Sequence, residues 1–147
     1  MQAFPHHYRI VSTGAADGEI QLSGDDVPTL NITAPPAFDG PGGHWSPETL
    51  LVASVSTCFV LSFRSVARAS KLAWQHLSCD VDGVLERVDG RNRFTRFTVK
   101  PTLVLGDAAD ADKAQRCLRK AEQVCLITNS LSADIELQPT IENPAHS

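Results

Sequence analysis

Several common site signatures are missing from this chain. There is no Cys-x-x-Cys and no His-x3-His, and His6-His7 stand together only in the first few residues, so no metal is expected. No Gly-rich phosphate loop occurs, so no nucleotide cofactor is expected either. Lys and Arg total 13 against 17 acidic residues, the formal net charge is −4, and no run of basic residues exists. A nucleic-acid partner needs a basic stripe to neutralise phosphates, so that partner class is excluded. The opening Met1-Gln2-Ala3-Phe4-Pro5-His6-His7 lacks the charged-then-apolar pattern of a signal peptide. The longest mostly apolar stretch, Leu50 to Phe63, is short for a bilayer and rich in Ser and Thr, so no membrane partner is expected. The expectation is a soluble cytoplasmic protein. In that compartment four cysteines do not read as a structural disulfide set; a bridge there would be transient and catalytic.

What is present suits a packed core. Apolar residues make up 42% and charged residues 20% of 147, which predicts one domain over 1–147 without repeats or low-complexity tracts. Residues 7–33 read as short strands, with turns at Gly14–Gly18 and Asp25–Pro28. The Pro- and Gly-rich segment 34–45 reads as a loop in which His44 and Trp45 could line a pocket. Ser46-Pro47 then starts a helix, with Ser as N-cap, Pro at the first helical position and Glu48 at the positive end of the dipole. This helix is expected to reach about Leu72, uncharged from Thr49 to Phe63 and wetted later by Arg64, Arg68 and Lys71. Residues 77–88 and 94–105 alternate as a long antiparallel hairpin around Asp89–Asn92, with Leu77, Cys79, Val81 and Leu85 on one face. A second helix follows over Asp110–Val124, with Ala114, Cys117, Leu118, Ala121 and Cys125 as its core stripe. A last strand is expected over Ser132–Gln138. The order argues for α+β, helices on antiparallel sheet.

Two cysteines stand apart from the rest. Cys58 lies in the nearly uncharged part of the first helix, and Cys125 lies where the second helix runs out. Free cysteine often packs as a plain hydrophobe, and that reading is given to Cys79 and Cys117, which fall on apolar faces. Cys58 and Cys125, as a pair, suggest thiol redox chemistry. A thiolate can attack a peroxide and become sulfenic acid, which a second thiol converts to a disulfide. That chemistry requires a lowered thiol pKa, apolar surroundings for an organic tail and a partner thiol within reach. Val55, Phe59 and Leu61 provide the apolar surroundings, and the polar Thr128, Asn129 and Ser130 suggest mobility near Cys125.

These phrases resemble the OsmC/Ohr family: Gly42-Gly43, then Ser46-Pro47-Glu48 with Leu50-Leu51, then Cys58-Phe59, then Cys125 followed by Ile127-Thr128-Asn129-Ser130. The resemblance implies an α+β fold with antiparallel sheets wrapped around a long buried central helix, a second helix and an intertwined homodimer. It implies a thiol-dependent peroxidase that reduces organic hydroperoxides and is regenerated by a dithiol reductant. By position, Cys58 resembles the peroxidatic cysteine, Cys125 the resolving one, and Glu48 the acidic residue that holds a catalytic arginine. The chain departs from the family at that arginine, whose matching position holds Ala16. Arg9, His44 or a partner-chain Arg are the candidate substitutes for the lost cation. Glu48 and Cys58 are ten residues apart, about 15 Å along a helix, so one helix cannot bring both to one site; the neighbouring subunit would have to supply Glu48. The alternative expectation is a non-catalytic binding or redox-sensing protein of the same fold.

Overall fold

Turn and cap chemistry sets the element boundaries. The computed structural model describes residues 1–144, in two compact units that divide between Leu51 and Val52.

In the first unit, β1 (Ile10–Thr13), β2 (Ile20–Gly24) and β3 (Val27–Ile32) form an antiparallel sheet in the order β1-β2-β3. The β2–β3 turn places Asp26 at φ 60, a left-handed conformation that Asp tolerates because its short side chain bonds locally. Strand β3 begins at Val27, so Val27 and Pro28 belong to the strand rather than to the expected turn. The loop beyond contains one 3-10 turn, Pro36–Phe38. A Cβ on Gly40 would lie 1.7 Å from the Ala34 carbonyl oxygen, so only glycine fits this close passage. The loop closes where Thr33 N–H donates to the Trp45 carbonyl at 3.1 Å. Ser46 caps the following helix as expected. Thr49 N–H donates to Ser46 Oγ at 3.1 Å and Ser46 N–H to Thr49 Oγ1 at 2.8 Å, a reciprocal box that satisfies one free donor on each side.

That helix, α1 (Pro47–Ala69), continues into the second unit and buries Val55, Phe59, Phe63 and Ala67, one residue per turn. It ends at Ala69, short of the expected Leu72. Lys71 takes φ 54, its N–H donates to Arg68 O at 3.2 Å, and Leu72 N–H donates to Ala67 O at 2.9 Å. This is a Schellman stop with lysine where glycine is usual, which is why the sequence carried no stop signal. By length and composition alone α1 passes for a membrane span, with an 18-residue window of mean hydropathy 1.8, a property the core helix of a soluble protein can share.

The hairpin pairs β4 (Trp74–Val88) with β5 (Arg91–Leu105) through a two-residue turn. Asp89 and Gly90 sit at φ 51 and 78, the two positive values of the turn that matches strand twist. A bulge opposite Val84 and Leu85 leaves Thr95 of β5 as an extra residue, and Leu85 beyond it is more exposed than Leu77, Cys79 and Val81. Phe97, Val99, Pro101, Leu103 and Leu105 of β5 are all buried. Helix α2 (Ala111–Val124) buries Ala114, Cys117, Leu118 and Ala121, the expected stripe, with Cys125 just beyond it.

The last segment departs from a purely antiparallel picture. Two short strands, β6 (Asp134–Leu137) and β7 (Thr140–Glu142), join β5 in parallel. The connection from β5 runs through α2, long enough for the crossover that parallel pairing needs. Pro101 falls at the gap between the segments of β5 that β6 and β7 pair with, where a missing N–H is tolerated.

Candidate active site

Cys58 sits in the middle of α1, one position before the buried Phe59 and three after the buried Val55, and is therefore half-buried at the edge of the core stripe. Cys125 is held differently. It is the residue between α2 and a short helix, α3 (Leu126–Asn129), with φ −64 and ψ 108. This one extended residue breaks the two helices apart. Its N–H donates to Glu122 O at 3.3 Å, and its carbonyl accepts from Asn129 N–H at 3.0 Å and from Thr128 Oγ1–H at 3.2 Å. The polar segment expected to give Cys125 mobility is instead an ordered turn of helix, with Thr128 buried.

The structure places the two thiols near enough that each influences the other's ionisation. Burial is the largest influence on Cys58 and opposes its ionisation. It is outweighed by donors to the sulfur: the Ile127 N–H, the Cys125 thiol, the Ser62 hydroxyl and the Leu126 N–H. The Cys58 thiol is therefore held below its ordinary pKa. The Leu126 and Ile127 amides belong to the first turn of α3, where backbone N–H groups have no acceptor within the helix. Ser62 lies one turn after Cys58 on α1, its Oγ 3.9 Å from Cys58 Sγ. Among the described residues, none of the groups that lower this thiol is a cation. Cys125 moves the opposite way. Burial pushes it up, the neighbouring Cys58 adds to that, and Thr128 partly offsets it. Ionisation is thus easier for Cys58 than for Cys125.

Cys79 lies nearby on β4, with its pKa pushed up to about 11, chiefly by burial. Its carbonyl accepts from Ser56 Oγ at 2.8 Å. Cys117 is buried in the α2 stripe. Glu48 stands in the first turn of α1, ten residues and about 15 Å of helical rise before Cys58. Its Oε2 is buried and has no hydrogen-bond partner among the described residues. Ala16 lies in the bend between β1 and β2. In the same unit His44 is already engaged, with Nε2 2.9 Å from the Glu19 carboxylate and Nδ1 3.2 Å from Gly42 O.

Sequence reasoning missed the donor set. Ser62 could have been found, because a spacing of four on a helix puts it beside Cys58. The amides could not, because a backbone N–H leaves no mark in the residue types.

Residues 40–140 match the family model described as OsmC-like protein. The chain belongs to the OsmC-like family. Among curated relatives, it is 26% identical to the uncharacterized protein YmaD of Bacillus subtilis over 111 residues, 74% of each chain. Among solved structures, an OsmC-like protein of unknown function from Vibrio cholerae superposes with TM-score 0.84 at 16% identity, covering 92% of this chain and 99% of that one. An organic hydroperoxide resistance protein from Elizabethkingia anophelis superposes with TM-score 0.78 at 19% identity, covering 97% and 99%. At these identities the structural likeness establishes a shared fold. With it, the α+β architecture of this OsmC-like chain is the family's own.

Proposed function

We propose that this chain is a cytoplasmic thiol-dependent peroxidase that reduces organic hydroperoxides. The observation that carries the reading is the nearness of Cys58, whose thiol is held below its ordinary pKa, to Cys125, whose thiol is pushed above it. The Cys58 thiolate attacks the terminal oxygen of R–O–OH. The O–O bond breaks, Cys58 becomes a sulfenic acid and an alkoxide leaves. The alkoxide takes up a proton, for which the Cys125 thiol is the nearest source. The resulting Cys125 thiolate attacks the sulfenic sulfur, expelling hydroxide, which takes a solvent proton to give water. The Cys58–Cys125 disulfide then accepts two electrons from a dithiol, restoring both thiols. Leu61 and Leu126, 60% and 66% exposed beside the two cysteines, offer apolar surface to the organic part of the substrate. The same exposed surface supports the family's homodimer, since an apolar helix face of this kind calls for a partner.

The test is steady-state consumption of tert-butyl hydroperoxide with a dithiol present. Turnover that vanishes in Cys58→Ser supports the reading; turnover no greater than that variant's removes it.

A second reading is favoured by two observations, Ala16 in place of the family's arginine and the unpartnered Glu48 Oε2. On that reading the protein binds a small apolar or electrophilic molecule without turning it over. A Cys58→Ser/Cys125→Ser double variant that still retains such a ligand, in a protein without peroxidase turnover, would favour it.

A further inference from the structure

With no arginine at position 16, the nucleophile needs another source of stabilisation, and the four groups around it are unequal in kind. Two are backbone amides, fixed by α3 and insensitive to side-chain identity. One is the Cys125 thiol, which leaves the set as soon as a disulfide forms. The fourth is Ser62, the only side-chain donor that persists through every redox state of the pair.

We infer that Ser62 is a further catalytic residue, whose hydroxyl holds the Cys58 sulfur as the anion in place of a cation. The geometry favours it. Cys58 and Ser62 share one face of α1 at a spacing of four residues, with Oγ and Sγ 3.9 Å apart, so their contact is set by a single rigid helix. Both side chains are half-buried, where a hydrogen bond to an ionised group counts for more than in water. Ser62 can also accept from the thiol before ionisation and donate to the thiolate after it, because a hydroxyl rotates to suit. The role rests on the peroxidase reading for its purpose, but its test does not require turnover.

The test is the pH dependence of Cys58 alkylation by iodoacetamide in the fully reduced protein, followed by peptide mass mapping. Ser62→Ala should raise the midpoint by about one pH unit, the scale of a hydrogen bond to a charged group. Ser62→Thr, which keeps the hydroxyl, should restore it. Ser56→Ala serves as control, because that hydroxyl bonds the Cys79 carbonyl, and should leave the midpoint in place. If Ser62→Ala fails to fold, Ser62→Val set against Ser62→Thr makes the same comparison at near-equal volume. A midpoint unchanged by loss of the hydroxyl would overturn the assignment. Loss of peroxide turnover in the wild type would overturn only the peroxidase reading, since the alkylation midpoint is read separately.

Discussion

The Cys58 sulfur and the Ser62 hydroxyl oxygen lie 3.9 Å apart one turn along α1, and the backbone of Ile127, in the four-residue helix α3, acts with Ser62 to lower the same thiol's pKa. The groups that lower this thiol are neutral, and the difference from a cation is measurable. A cation's field on a half-buried thiolate is screened by salt, whereas a hydrogen bond is a contact interaction. The alkylation midpoint of Cys58 should therefore hold nearly constant as ionic strength rises from tens of millimolar to molar. A midpoint that climbs steadily with salt would show that a cation supports the thiolate.

Cys125 is predicted to have two separable duties, as hydrogen-bond donor to Cys58 and as resolving thiol. Cys125→Ser keeps a hydroxyl donor but cannot form a disulfide. It should retain an acidic Cys58 while the sulfenic acid persists and advances to sulfinic acid under repeated peroxide. Cys125→Ala should lose both duties, with the Cys58 midpoint also rising. Mass spectrometry of peroxide-treated protein, paired with alkylation profiles, separates the two variants. Identical midpoints in Ser and Ala variants would contradict the donor role.

Cys79 gives a prediction about stability. Its folded pKa, about 11, lies above the unfolded thiol value of 9.0, so the folded state keeps the proton more tightly than the unfolded chain does. The stability it contributes is present in full below pH 9 and is lost as pH rises through 11. Chemical denaturation at pH 8 and pH 11 should show a larger loss for wild type than for Cys79→Val. Equal losses would mean that Cys79 ionises as freely in the fold as out of it.

The apolar exposure of α1 predicts association. Leu61 is 60% exposed in a single protomer, in a helix whose buried stripe is limited to Val55, Phe59, Phe63 and Ala67. Sedimentation at micromolar concentration should report a dimer, and Leu61→Lys should weaken it. A monomer at every concentration would remove the dimer from the account.

Where local chemistry decides structure, the sequence was easy to read. Ser46 and Pro47 announce the start of α1, the Phe97–Leu105 alternation announces β5, and the Ala114–Ala121 periodicity announces the buried face of α2. Reading failed where tertiary structure decides. Lys71 stops α1 in a conformation normally signalled by glycine. The bulge that leaves Thr95 of β5 unpaired opposite Val84 and Leu85 carries no sequence signal. Strands β6 and β7 are too short to show which way they pair. At the site, the two cysteines were legible as residues, but the groups that make them unequal were not. Leu126 and Ile127 act through backbone amides, which no side chain advertises, and only Ser62 left a trace in the spacing.

The most direct test of the central claim is disulfide mapping. Reduced protein is treated with one equivalent of tert-butyl hydroperoxide, free thiols are trapped and the peptides are identified. The account predicts a Cys58–Cys125 disulfide, with Cys79 and Cys117 recovered as alkylated thiols. Recovery of all four cysteines as free thiols, or a disulfide that joins any other pair, would contradict it.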